Sequence, residues 1–99
     1  MRLTETQTEA IRRIVRAEAG ERAAVRVFGS RVRDDARGGD LDLLVTLPDP
    51  AEAPALLSAR LSARISRVMH GRKVDVVLEA PNLKRLPIHE VAEREGVSL

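Results

Sequence analysis

Hydrophobic residues recur at helical spacing in some segments of the chain and form short runs in others, and together they predict three helices and three strands. The helical period occurs in three segments: Glu5 to Ala19, Pro54 to His70, and a short last helix that opens at Pro87 and stops at Gly96. Short runs rich in Val and Leu predict three strands: Ala24 to Phe28, Leu41 to Leu47, and Lys73 to Glu79. For the first helix, Thr4 followed by Gln7 is typical of a capping box, and Gly20 of a helix end.

The stretch Arg31 to Gly39 is polar, and it is predicted to be a loop or a short helix plus a loop. The element order is then α-β-(loop/α)-β-α-β-α. This order predicts an α+β fold in which helices pack on a small mixed sheet of about three strands. A length of 99 residues favours one domain, residues 1–99.

Composition excludes several classes of partner. Phe28 is the only aromatic residue, so stacking of bases on aromatic platforms is excluded. The net charge of +2 comes from arginines that alternate with carboxylates, which argues against a general duplex-binding surface. There is no cysteine, no apolar run of membrane-spanning length and no signal-peptide pattern, so we expect a cytoplasmic protein with no membrane partner.

Asp40 and Asp42 are the first candidates for chemistry. Side chains at positions i and i+2 of a strand point to the same side, so the two carboxylates face outward together while Leu41 and Leu43 face the core. Two adjacent carboxylates repel each other unless a cation lies between them, and Mg²⁺ prefers carboxylate and phosphate oxygens. The alternative is a pair of ordinary solvated carboxylates on a strand.

Two further features add to this pair. Gly29-Ser30 follows a strand, where a glycine lets backbone N–H groups approach phosphate oxygens; the alternative is a turn followed by an N-cap serine. Asp75 lies between β-branched residues, as a metal ligand or an activator of an attacking hydroxyl would; the alternatives are an edge-strand charge or a pair with Lys73 or an arginine. Together the three features favour a site for two-metal phosphoryl transfer.

The segment from Phe28 to Val45, FGSRVRDDARGGDLDLLV, resembles the signature of the minimal nucleotidyltransferase (MNT) family. These proteins are small members of the DNA polymerase β-like nucleotidyltransferase superfamily. Their pattern is a strand followed by Gly-Ser, roughly ten residues, Asp-x-Asp on a strand, and a third acidic residue on a later strand. The motif covers about 18 residues, and the strand order extends the likeness to most of the chain.

The resemblance implies the polymerase β-like fold and an enzyme that moves a nucleoside monophosphate, AMP from Mg²⁺-ATP, to a hydroxyl group. It implies that Gly29 and Ser30 bind the triphosphate, and that Asp40, Asp42 and Asp75 are the catalytic metal ligands. Arg31 is a further candidate for nucleotide binding, as are Arg33 and Arg37. The alternative for these arginines is a set of solvated loop side chains paired with Asp34 or Asp35.

After the catalytic residues, only residues 80–99 remain, which is too little for an acceptor domain. We therefore expect the acceptor to be a separate macromolecule, and the resemblance implies a helical HEPN toxin for which this chain is the antitoxin. A face of small residues on the second helix would allow close packing on such a partner or on a second copy; the alternative is a solvent-facing surface. These residues are Ala59, Ser62, Ala63 and Ser66.

Two other functions remain open: a non-catalytic module that neutralises a partner by covering it, and a transferase for a small hydroxyl compound. Intact acidic residues argue against the first, and the lack of a second substrate-binding segment argues against the other. The sequence leaves the nucleobase, the acceptor and the oligomeric state undetermined.

Overall fold

The computed structural model describes residues 3–29 and 40–99, and the predicted loop from Arg31 to Gly39 lies outside them. Three helices and four strands follow one another in these residues. They are α1 (Glu5–Ala19), β1 (Ala24–Phe28), β2 (Leu41–Thr46), α2 (Pro54–Val68), β3 (Val74–Glu79), α3 (Pro87–Glu95) and β4 (Val97–Ser98). The predicted α+β class and the packing of helices on a small mixed sheet are confirmed.

The ends of α1 follow from local chemistry. Thr4 Oγ1 accepts a hydrogen bond from the Gln7 backbone N–H, and Gln7 Oε1 accepts one from the Thr4 N–H, both at 3.0 Å. This capping box satisfies two N–H groups that the first turn of a helix leaves without partners. Gly20 ends the helix with a φ of 102°, a region that L side chains rarely adopt.

The sheet has the strand order β3-β2-β1-β4. β1 and β2 are antiparallel, whereas β2 and β3 are parallel and are connected through α2. The prediction of about three strands missed β4, whose Val97 and Ser98 pair with Val27 and Arg26 of β1. Two residues are too few to show an alternating pattern, so only the pairing reveals this strand.

The main core lies between one sheet face and the helices α1 and α2. Leu41, Leu43 and Val45 of β2 are fully buried on this face. The side chains that alternate with them point to the opposite face, where α3 packs its Ala92 against Phe28 and Leu44. The sheet therefore has one face covered by two helices and one face covered in part by α3.

The outer edge of β3 is closed by hydrogen bonds from side chains. The outward carbonyl oxygens of β3 accept bonds from two serines of α2 and lie against one histidine of α3, and a third serine binds a carbonyl oxygen just before the strand. The pairs are Ser66 with Arg72 O at 2.6 Å, Ser62 with Val74 O at 2.8 Å, Ser58 with Val76 O at 3.1 Å, and His89 with Leu78 O at 2.8 Å.

This edge overturns part of the expected docking face on α2. Ser62 binds the neighbouring strand and Ser66 the turn that precedes it, so the interpretation of a four-residue partner surface is wrong for these two. Ala59 and Ala63 are exposed. The serines face inward because a small hydroxyl side chain fits where helix and strand approach closely and can satisfy an edge carbonyl there.

Three predicted boundaries differ by one or two residues. α2 ends at Val68 because His70 and Gly71 follow with φ values of 61° and 80°, which break the helical path. β2 ends at Thr46, and β3 begins at Val74. Within the described ranges, none of the helices has the length and apolar character needed to cross a bilayer; the cytoplasmic location stays a prediction.

Candidate functional site

Asp42 and Asp75 lie side by side on adjacent parallel strands. The register pairs Asp42 of β2 with Asp75 of β3, and residues paired in this way point to the same face of a sheet. That face is the one opposite α1 and α2. Two carboxylates that are 33 positions apart in the sequence are thus brought together by the pairing of β2 with β3.

Asp40 extends this pair at the start of β2, and Lys73 lies among the carboxylates. Lys73 Nζ is 3.9 Å from Asp40 Oδ2 and 3.9 Å from Asp75 Oδ1. The Asp40 and Asp75 side chains are 47% and 46% exposed. The two alternatives considered for Asp75 are therefore present as well, since it stands on an edge strand and has Lys73 as an ionic neighbour.

The electrostatics of the site centre on Asp42. Burial raises the pKa of the Asp42 carboxyl above its ordinary value, and the negative charges of Asp75 and Asp40 raise it further. The positive charge of Lys73 acts in the opposite direction, and a side-chain hydrogen bond with Asp75 again raises the pKa. Without a strong cation, one half-buried carboxyl of the group is thus driven towards its neutral form.

Gly29 borders Asp42 directly. β1 ends at Phe28, which is paired with Asp42, and Gly29 follows with a φ of 77°. A Cβ atom at this position would collide with Asp42 Oδ2. Two features therefore favour glycine at this position. Its backbone conformation is disfavoured for other residues, and its missing side chain leaves the space that the Asp42 carboxylate occupies.

The remaining two nucleotide-binding candidates, Ser30 and Arg31, lie outside the described residues. Within residues 3–29 and 40–99, no three His, Asp or Glu side chains are arranged so that they could hold a metal ion by themselves. The described part of the site is thus an open carboxylate pair flanked by Asp40 and Lys73.

Beyond the carboxylates, the same sheet face becomes apolar and then charged again. Phe28, Leu44 and Val77 contact Ala92 of α3. Farther along, Thr46 donates a hydrogen bond to Glu79 at 2.9 Å, and Arg85 binds both Glu79 and Glu93 of α3. The Arg85 hydrogen bonds lower the pKa of Glu93 to about 2. This second cluster anchors α3 on the sheet. No local sequence pattern predicts it, because its members come from β2, β3, α3 and the segment that precedes α3.

A surface depression of about 580 Å³ lies at the opposite end of the sheet. Its walls include Ala23, just before β1, and Leu47, just after β2, whereas the carboxylates stand where β1 ends and β2 begins. An exposed ion pair of Arg22 with Asp49, at 2.8 Å, borders it. Residues of α1, α2 and the loops beside them line this depression, and the carboxylates are not among them.

The comparisons with known proteins agree with this geometry. A family model described as a nucleotidyltransferase domain matches residues 8–97. A solved structure described as the toxin–antitoxin MntA–HpeT, in a mutant form, has a chain with the same fold: the TM-score is 0.66 at 16% identity, over 98% of this chain and 71% of that chain. A sequence search among curated proteins found no match.

Proposed function

The chain belongs to the nucleotidyltransferase domain family, and on that basis we propose that it transfers a nucleoside monophosphate, AMP from Mg²⁺-ATP, to a hydroxyl of a partner macromolecule. The observation that carries the proposal is the alignment of Asp42 with Asp75 on an open sheet face beside Gly29. Asp40 supplies a third carboxylate at the same strand end.

The donor set of the site fits a magnesium ion that arrives with a nucleotide. Mg²⁺ is commonly bound by only one or two protein carboxylates, with phosphate oxygens and water completing the octahedron. Asp42 and Asp75 provide two such carboxylates. Burial is the main cause of the raised pKa of Asp42, and the charges of Asp75 and Asp40, which raise it further, are charges that a cation would offset. When bound, the ion would neutralise charge on the phosphates of the reacting nucleotide.

The residues of the chain would then act on the two substrates as follows. Gly29 lets the backbone come close to the triphosphate, with Ser30 and Arg31 as further contacts. The acceptor hydroxyl oxygen attacks the α-phosphorus, the bond from that phosphorus to the bridging oxygen breaks, and pyrophosphate leaves. The hydroxyl proton passes to a carboxylate, for which we propose Asp75, because its half-exposed side chain faces solvent beside Asp42.

The partner is proposed to be a toxin that this chain neutralises as an antitoxin. Support comes from the fold shared with a chain of a complex described as a toxin–antitoxin pair. A HEPN-type helical protein encoded beside this chain is the first candidate acceptor, with a hydroxyl side chain such as tyrosine as the modified group.

Radiolabelled ATP tests the proposed reaction. The protein, Mg²⁺ and the neighbouring gene product are incubated with ATP labelled at either the α- or the γ-phosphate, and only the α-label is expected on the acceptor. Asp42→Asn and Asp75→Asn should each lower transfer by at least about 10²-fold, as loss of a metal-binding or proton-accepting group does in phosphoryl transfer. The matched control is Asp49→Asn, an exposed aspartate at the other end of the sheet, which should retain the wild-type rate.

The same variants distinguish neutralisation of the partner by nucleotide transfer from neutralisation by binding alone. If Asp42→Asn neutralises the partner as fully as the wild type does, while label transfer is lost, the chain acts as a binding module. Absence of α-label from every acceptor tried, including the neighbouring product, would count against the transferase.

A further inference from the structure

Lys73 is a cation already present between two of the proposed metal ligands. Its ammonium nitrogen is equidistant, at 3.9 Å, from Asp40 Oδ2 and Asp75 Oδ1. The only other lysine of the chain, Lys84, lies in the exposed segment before α3. The positive charge of Lys73 therefore affects how tightly these carboxylates bind a metal ion.

The backbone keeps Lys73 at this place. Its carbonyl oxygen accepts a hydrogen bond from the Leu41 N–H at 3.0 Å, which ties it to the start of β2 next to Asp40. Lys73 is also two residues before Asp75, so the alternation of an extended strand directs both side chains to the same face. The ammonium group can swing on its flexible stem, but its point of attachment stays beside the carboxylates.

The ion pairs of Lys73 are loose. A separation of 3.9 Å is longer than a hydrogen bond, and the Lys73 side chain is 70% exposed. Displacing the ammonium group therefore breaks no hydrogen bond with these carboxylates. A divalent ion that binds Asp42 and Asp75 nevertheless meets a positive charge tethered a few ångströms away.

We infer that Lys73 is a resident counter-ion that makes the site selective for a metal–nucleotide complex over a free metal ion. This inference rests on the proposed function. A free divalent ion adds two positive charges beside Lys73 and is repelled. A metal–nucleotide complex brings several phosphate charges with it, and the displaced ammonium group then faces an anion instead of a cation. Lys73 thus acts through the charge balance of the site and takes no part in the bond-making step.

Binding of Mn²⁺, followed by electron paramagnetic resonance of the unbound ion, tests this inference in the intact chain. A unit charge pair at about 4 Å in water changes an affinity about fivefold, and the ion is doubly charged. Lys73→Gln should therefore tighten the binding of free Mn²⁺ by about fivefold or more. It should not tighten the binding of Mn²⁺ with a non-hydrolysable ATP analogue to the same extent.

The variants Lys73→Arg and Lys84→Gln are the controls. Lys73→Arg keeps the charge and should retain the wild-type affinity for free Mn²⁺, which a purely steric role of the side chain does not predict. Lys84→Gln removes the other lysine and should also leave the affinity unchanged. Thermal melts in EDTA verify that each variant is folded.

Two results would overturn the inference: equal affinity of wild type and Lys73→Gln for free Mn²⁺, or an equal gain for the free ion and the nucleotide complex. The variant Asp42→Asn distinguishes an error in the role of Lys73 from an error in the proposed metal site. If Asp42→Asn abolishes binding of the metal–nucleotide complex while Lys73→Gln changes nothing, the metal site stands and the role of Lys73 is wrong. If Asp42→Asn leaves all Mn²⁺ binding intact, the metal site itself is wrong.

Discussion

The Asp42 carboxylate occupies the space that a side chain at Gly29 would fill. A Cβ atom at residue 29 would collide with the Asp42 carboxylate, and the backbone there has a φ of 77°. The end of β1 therefore sets the position of the carboxylate on β2. Because Asp42 in turn adjoins Asp75, a change at Gly29 acts on the whole carboxylate group.

Gly29→Ala is expected to lower nucleotide transfer at least about tenfold and to weaken Mn²⁺ binding, because the new methyl group must displace Asp42. It should also destabilise the fold, since a left-handed conformation costs an L residue about 1–2 kcal/mol. Gly71→Ala is the matched control: Gly71 has a similar φ of 80° but open space around its Cα. Denaturant melts and transfer assays of both variants separate backbone strain from displacement of Asp42, and equal activity of the two variants would refute the role of the collision.

Asp42→Asn is expected to stabilise the metal-free protein at neutral pH. The pKa of Asp42 is raised in the folded state. The carboxyl group of Asp42 therefore contributes its full stability to the fold only below its pKa in the unfolded chain, about 3.9. This contribution is lost as the pH rises through the higher pKa of the folded state. Asparagine remains neutral and avoids this loss. Solvent screens the half-exposed group, so the gain in Tm should be small, about 2 °C.

Thermal melts in EDTA at pH 3.5 and pH 7.5 measure this effect. The gain should be present at pH 7.5 and should vanish at pH 3.5, where both side chains are neutral. Asp49→Asn, which removes an exposed partner of Arg22, should give no gain at either pH. A gain of equal size at both pH values would show that the cause is other than charge repulsion.

Ser62→Ala is expected to lower the free energy of unfolding by about 1 kcal/mol. The change leaves the Val74 carbonyl without its 2.8 Å partner, and the higher helix propensity of alanine offsets part of that cost. Ser58→Ala should have a similar effect through Val76. Urea melts provide the measurement, with Ser98→Ala on the exposed strand β4 as the control; effects no larger than that of Ser98→Ala would argue against the serine contacts.

His89→Ala is expected to cost about 2–4 kcal/mol of stability while leaving the carboxylate site intact. His89 is only 4% exposed; its Nδ1 accepts a hydrogen bond from the Leu86 N–H at 2.9 Å, so its Nε2 carries the proton and donates to Leu78 O. The substitution removes the first-turn cap of α3 and its link to β3, and leaves a cavity. Glu90→Ala, at the next and exposed position, should cost less than about 1 kcal/mol in the same melts.

Local patterns in the sequence were sufficient to predict most of the helices and strands. The boundaries of α1 followed from a capping box and a glycine, both of which act within a few residues. The prediction that Leu41 and Leu43 face the core was confirmed, because strand alternation is a property of the backbone. The short strand β4 was missed because its existence depends on β1 as a partner.

The sequence by itself determined that Asp42 lies on the side of β2 opposite the buried Leu41 and Leu43, since the pleat repeats every two residues. It also presented Gly29 and Asp75 as candidates, but not their positions relative to Asp42. Only the tertiary structure decided those positions: the parallel pairing of β2 and β3 places Asp75 beside Asp42, and the end of β1 places Gly29 against it. The same folding placed Lys73 between two carboxylates and turned the serines of α2 inward, because strand register and helix packing depend on contacts between residues far apart in the chain.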